Sequence, residues 1–160
     1  MARHVGASPV LIVGLGNEWR GDDGAGAAVA RALRAAVPPH ARVEACDGEG
    51  TRLVSLWDGA EHAVVIDAVK SGRPPGEIVR VDLRSDRPGD MSKFAGDWRG
   101  SSHAFGLASA VSLARVLGRL PRSLTIYGIE GADFDHGADL TPAVRVAVDR
   151  VVSEILASLS

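Results

Sequence analysis

Val10-Leu11-Ile12-Val13-Gly14-Leu15-Gly16-Asn17-Glu18-Trp19-Arg20-Gly21-Asp22-Asp23-Gly24-Ala25-Gly26 is the stretch that decides the fold. It opens as an unbroken apolar run, the pattern of a strand buried on both faces. Gly14 and Gly16 then let the backbone turn tightly and come close to a neighbour. Two aspartates and an alanine-rich helical run follow. The stretch reads as strand, glycine turn and acidic helix start. A dinucleotide fingerprint would need a third glycine where Trp19 stands. Two carboxylates at a helix start also repel a phosphate, and no Gly-Lys-Ser/Thr follows. The turn suits a cation or a peptide group, and no nucleotide is expected.

The remaining sequence supplies alternating partners for this first unit. Gly24 to Val37 reads as a helix with Val29, Leu33 and Val37 on one face, stopped by Pro38-Pro39. Arg42–Cys46 is a short strand, and Thr51 caps a helix carrying Leu53, Val54 and Leu56. Ala63–Ala68 is a third buried strand. Glu77–Leu83 alternates, and the short turn before it leaves no room for a crossover helix, so it should run antiparallel. Residues 84–102 lack periodicity and form a long loop with Phe94 and Trp98 as a small apolar cluster. Ala104–Leu120 is helical, and Leu124–Ile129 is the last strand. Thr141-Pro142 starts a final helix whose apolar face is Val144, Ala147, Val148, Val151, Val152, Ile155, Leu156 and Leu159. This order predicts a three-layer α/β/α sandwich around a mostly parallel five-stranded sheet, phosphorylase/hydrolase-like in plan.

The 160 residues suffice for one domain spanning 1–160. A hydrophobic content of 46% fits a soluble globular chain, and a net charge of −2 gives no pull toward nucleic acid or a membrane surface. No apolar run has the length of a signal sequence or a membrane span. Cys46 is the single cysteine and can form no internal disulfide, which points to a cytoplasmic protein.

In such sheets ligands bind outside the carboxyl ends of the parallel strands. Asp22, Asp23, Asp47, Asp67 and Glu130 all follow strands, and His103 heads a helix. The set reads as carboxylates with one imidazole and no cationic partner of its own. It suits a divalent cation, nickel and zinc alike, or acid–base work on a scissile bond. A helix N-terminus disfavours the imidazolium, leaving His103 a lone pair for a metal. Within the set, Asp22 reads as the helix N-cap and Asp23 as the functional candidate, because successive helical side chains diverge by about 100°. Asp47 and Glu130 read as loop-shaping, Cys46 as a buried filler, and His4, His40, His62 and His136 as solvated.

These residues carry a resemblance. Gly14-Leu15-Gly16-Asn17 with Asp22-Asp23-Gly24-Ala25-Gly26, then Asp47-Gly48 with Gly50-Thr51, Val65-Ile66-Asp67-Ala68, Ser102-His103 with Gly106-Leu107, Tyr127-Gly128-Ile129-Glu130 and Leu140-Thr141-Pro142 occur in order over nearly the whole chain. In these the chain resembles the hydrogenase maturation endopeptidases, which remove a C-terminal tail from the large subunit of nickel–iron hydrogenases. The resemblance implies that Asp23, Asp67 and His103 contact nickel already seated in the precursor, so that the metal is carried mainly by the substrate. It implies hydrolysis of one peptide bond, a precursor protein as partner, and a monomer with neither nucleic acid nor membrane as partner. Many relatives have proline after the glutamate that ends the last strand; Gly131 stands there in this chain.

Three other readings compete, the third being a Rossmann nucleotide binder. Val13-Gly14-Leu15-Gly16-Asn17 also opens peptidyl-tRNA hydrolase, but the Asn-Pro-Gly and Thr-Arg-His-Asn segments of that family are absent. A non-catalytic, chaperone-like nickel-binding module would hold the precursor without shortening it. The absence of a Ser-His-Asp order or a reactive cysteine setting favours water attack over a covalent intermediate.

Overall fold

The computed structural model describes residues 9–47, 50–86 and 104–160. Its elements are β1 (Val10–Leu15), a 3-10 turn (Gly21–Gly24), α1 (Ala25–Arg34), β2 (Ala41–Cys46), α2 (Gly50–Trp57), β3 (His62–Val69), β4 (Ile78–Arg84), α3 (Ala104–Leu117), β5 (Ser123–Glu130) and α4 (Pro142–Ser158). The five strands form one sheet in the order β2-β1-β3-β5-β4. Every neighbouring pair is parallel except β4 with β5, as the short turn before β4 requires.

Strand alternation sorts the core into two layers. Leu11, Val13, Leu15, Val65 and Ile126 pack beneath α2 and α3 with Leu53, Trp57, Leu107 and Val111. Ile12, Ile66, Tyr127 and Ile129 pack on the other face beneath α1 and α4, with Val29, Leu33, Val144, Val151 and Ile155. β4, at the edge, buries only Val81 and Leu83 and turns Arg80, Asp82 and Arg84 to solvent. No helix among the described residues is long and apolar enough to cross a membrane.

Element boundaries differ from expectation where glycine intervenes. The segment after β1 first winds as a 3-10 turn, so α1 begins only at Ala25 and ends at Arg34, short of Val37. α2 begins at Gly50, so Thr51 lies inside the helix instead of capping it. α3 stops at Leu117, not Leu120, because Gly118 takes φ +68°, the left-handed conformation that ends helices. His62 is half-buried and bonds Ser123 Oγ through Nδ1 at 2.6 Å, which corrects its reading as solvated. Phe94, Trp98 and His4 lie outside the described residues.

Tyr127, in β5 beside the edge strand, has a phenol displaced from its ordinary range. Burial pushes the Tyr127 phenol up to about 12; the Arg80 guanidinium opposes this and the Glu154 carboxylate adds to it. The folded chain therefore holds this proton through a range in which the unfolded chain releases it. The resulting stability is present below the ordinary tyrosine range near 10 and is lost as pH rises toward 12. Tyr127→Phe should flatten that alkaline decline in a denaturant titration across pH.

Candidate functional site

The close approach of α1 to the sheet sets the site's geometry. A Cβ at Gly14 would lie 2.1 Å from the Gly26 carbonyl oxygen, and one at Gly26 would lie 2.3 Å from Leu15 O and 2.6 Å from Ile66 O. Only two glycines let the start of α1 rest directly on β1 and β3. The 3-10 turn is thereby held against β3. Gly16, at φ +118°, makes the bend out of β1; a Cβ there would lie 2.1 Å from the Asp23 carbonyl oxygen.

The strand order makes this corner a crevice. From β1 the chain leaves through α1 to β2 on one side, whereas β3 has β5 on its other side. Neighbouring strands whose connections diverge leave an opening at their carboxyl ends. Asp23 follows β1 and Asp67 lies in the last turn of β3's register, paired with Gly128. Both are buried, with exposures of 3% and 0%. By alternation with Ile66 and Ala68, Asp67 belongs to the face covered by α2 and α3. α3 runs back to β5, whose first residue Ser123 pairs with His62 at the opposite edge, so Ala104 begins α3 at the carboxyl edge. His103, the residue before it, lies outside the described residues. Among the described residues no three His, Cys, Asp or Glu side chains gather closely enough to hold a metal ion.

The two adjacent aspartates divide their work. Asp23 Oδ2 accepts the Asn17 N–H at 2.9 Å, while its buried Oδ1 has no hydrogen-bond partner among the described residues. A buried carboxylate oxygen left unpaired is costly, and a cation would relieve it. Asp22 is not the helix cap expected of it. Gly24 occupies that position and makes no side-chain cap bond. The Asp22 carboxylate instead accepts the N–H groups of Ala132, Asp133 and Thr141 at 2.7, 3.1 and 2.8 Å, and the Thr141 hydroxyl at 2.9 Å. Thr141, the N-cap residue of α4, therefore spends its hydroxyl on Asp22 and makes no cap bond of its own. The cause is geometric: Asp22 lies inside the 3-10 turn, two residues before the cap position of α1, and its carboxylate meets the N–H groups that follow β5 instead.

Gly131 belongs to the same clamp. Its N–H donates to Val69 O at 2.9 Å, and a Cβ there would lie 2.9 Å from Asp22 Cβ and 2.6 Å from Phe134 Cζ. A proline would lack that donor and crowd both groups. Asp22→Ala should leave the N–H groups of Ala132, Asp133 and Thr141 without their shared buried acceptor and cost about 3 kcal/mol. In a chain of this size that lowers the melting temperature by roughly 6 to 12 °C, read by differential scanning calorimetry.

The other carboxylates have local duties. Glu130 accepts the Ser71 N–H at 2.9 Å and the Ser71 hydroxyl, closing the turn between β3 and β4. Asp47 accepts the Cys46 thiol at 3.7 Å, and Cys46 is buried and free of disulfide. A cavity of about 620 Å³ opens beside Asp23, between the ends of β1 and β2; Asp67 does not line it. Arg20, Arg31, Arg34 and Arg52 do. That corrects the expectation of a carboxylate set without cations: α1 and α2 bring arginines to the turn from positions that no sequence spacing links to it.

A family model described as HycI, hydrogenase maturation protease, matches residues 27–158. The chain belongs to the hydrogenase maturation proteases. Its relatives in that family include the hydrogenase expression/formation protein HupD of Bradyrhizobium diazoefficiens, 32% identical over 139 residues that make up 85% of this chain and 70% of that one. The hydrogenase 2 maturation protease of Escherichia coli K12 is 27% identical, with 94% of this chain and 90% of that one covered. Among solved structures, the [NiFe] hydrogenase maturation protease HybD of Thermococcus kodakarensis superposes with a TM-score of 0.75 at 28% identity, covering 94% of this chain and 99% of that one. The E. coli maturating endopeptidase HybD gives a TM-score of 0.77 at 24% identity, a likeness of fold. As a maturation protease the chain is a peptidase, and the three-layer sandwich is the fold of its relatives.

Proposed function

We propose that this maturation protease removes the C-terminal tail of a nickel–iron hydrogenase large-subunit precursor once nickel is seated in it, and that Asp23, Asp67 and His103 contact that nickel. The observation that carries the reading is the buried, unpartnered Oδ1 of Asp23 at the mouth of the β1/β3 crevice. Asp67 approaches the same edge from β3, fully buried. Asp23 has no lysine or arginine ion pair among the described residues. His103 is adjacent in sequence to the first residue of α3.

In this reading the two carboxylates and the imidazole grip the substrate's own metal and so fix the peptide bond just beyond it. Holding reactants in place supplies much of a catalytic advantage. Water, activated by a carboxylate or polarised by the substrate's metal, adds its oxygen to the scissile carbonyl carbon. The carbon–nitrogen bond breaks, and the leaving amine takes the proton. The reading carries with it a single-domain monomer acting in the cytoplasm, on a protein partner and without nucleotide.

The test is the intact mass of the precursor after incubation with the purified protein, in nickel-loaded and nickel-free form. Loss of the tail from the loaded form alone is the expected result. A precursor that is bound but never shortened would instead mark a holding module.

A further inference from the structure

The cavity beside Asp23 has two chemically different sides. Its strand-end rim carries Asp23 and Asp47; its helical wall carries Arg31 and Arg34 from α1 and Arg52 from α2, with Arg20 arriving from the turn. Arg31 is neutralised by Glu18 at 2.5 Å. Arg20, Arg34 and Arg52 are exposed and make no ion pair among the described residues. Three guanidinium groups without an ion pair among the described residues, set on one side of a concave space, make that side favour carboxylates, while Asp23 and Asp47 keep the opposite rim acidic.

Trp19 stands on the same lining and is 71% exposed. It is not loose. Asn17 Oδ1 accepts its N–H at 2.9 Å, and its carbonyl accepts the Gly137 N–H at 2.8 Å. A large aromatic ring held at both backbone ends yet left in water is the usual form of a recognition anchor.

Resting on the proteolytic reading above, we propose that this cavity receives the precursor's tail and selects a segment bearing several acidic side chains, read by Arg20, Arg34 and Arg52 and anchored on Trp19. In this reading the rim with Asp23 takes the metal end of the substrate, and the arginine side takes the tail. The free arginines come from three separate elements, which fits carboxylates spaced along a strand better than one terminal carboxylate. The aspartates at the rim disfavour a nucleic acid backbone.

The test uses a fluorescently labelled synthetic peptide of the precursor's tail, and the same peptide with each Asp and Glu replaced by Asn and Gln. Anisotropy titrations should show the acidic peptide binding about tenfold tighter or more, with the difference shrinking as salt rises. The double variant Arg34→Glu/Arg52→Glu, shown folded by its melting curve, should lose that preference, and a tail carrying Lys in place of its acids should regain binding to it. Trp19→Ala should weaken both peptides. In cleavage of the nickel-loaded precursor, the double variant should raise KM by about tenfold with a much smaller effect on kcat. Equal affinity for the two peptides, unaltered binding by the double variant, a tail without acidic side chains, or preferential binding of an RNA oligonucleotide each overturns the proposal. If the wild-type protein never shortens the precursor, the proteolytic reading falls, and the anisotropy arm still decides whether the tail docks here.

Discussion

Asp67→Asn should abolish detectable tail removal while leaving the fold in place. The side chain is fully buried in β3, at the crevice that strand order opens between β1 and β3. The amide keeps its shape and its capacity to accept a hydrogen bond but withdraws the charge that, in the proposed reading, contacts the substrate's nickel. A lost contact that positions the scissile bond costs roughly 10²-fold in rate or more. His103→Ala is expected to act in the same direction. The measurement is the time course of precursor intact mass, with a melting curve of each variant alongside. Wild-type cleavage by Asp67→Asn would show that its charge has no part in the grip. A variant that is inactive and also unfolded would move the question to Asp67→Ser or another small polar residue.

Gly26→Ala is expected to have the largest effect on stability for the smallest chemical change. One methyl group must enter a space bounded by Leu15 O at 2.3 Å, Leu15 N at 2.7 Å and Ile66 O at 2.6 Å, all backbone atoms of central strands. None of these can step aside as a flexible side chain could. The helix must lift off the sheet, at a cost of about 3 kcal/mol or more. The melting temperature should fall by roughly 6 to 12 °C. Activity should fall with it even well below the melting point, because lifting α1 carries the Asp23 turn away from β3. Alanine is normally the better helix residue by about 1 kcal/mol, so a neutral or stabilising result would show that the contact yields more easily than its geometry implies.

The sheet was legible because each strand is a short apolar run and each helix a periodic one. The unbroken Val10–Val13 run and the alternation of Ile78–Leu83 identify a central and an edge strand by pattern alone. That Asp22 and Asp23 point to different partners was legible, since neighbours on a helical turn diverge, but Asp22 as a helix cap was not what the structure shows. The partner of Asp22 was not. Its donors lie 110 to 119 residues away, and nothing in local sequence marks an N–H row that only tertiary packing aligns. The arginines around the cavity were missed for a similar reason. Arg34 and Arg52 are ordinary exposed helical residues, and only the parallel pairing of β1 with β2 brings their helices to one opening. Glu130 ends β5 but ties the turn between β3 and β4, 59 residues earlier, and nothing in local sequence marks that partner either.

The long reach of the Asp22 clamp bears on synthesis. A ribosome delivers β1 and the acidic turn first, and the groups that fasten that turn, from Ala132 to Thr141, follow 110 to 119 residues later. Until then the unfastened carboxylate stays hydrated and the corner it organises has no reason to close. The corner that carries Asp23 is therefore expected to set later in folding than the strand that leads into it.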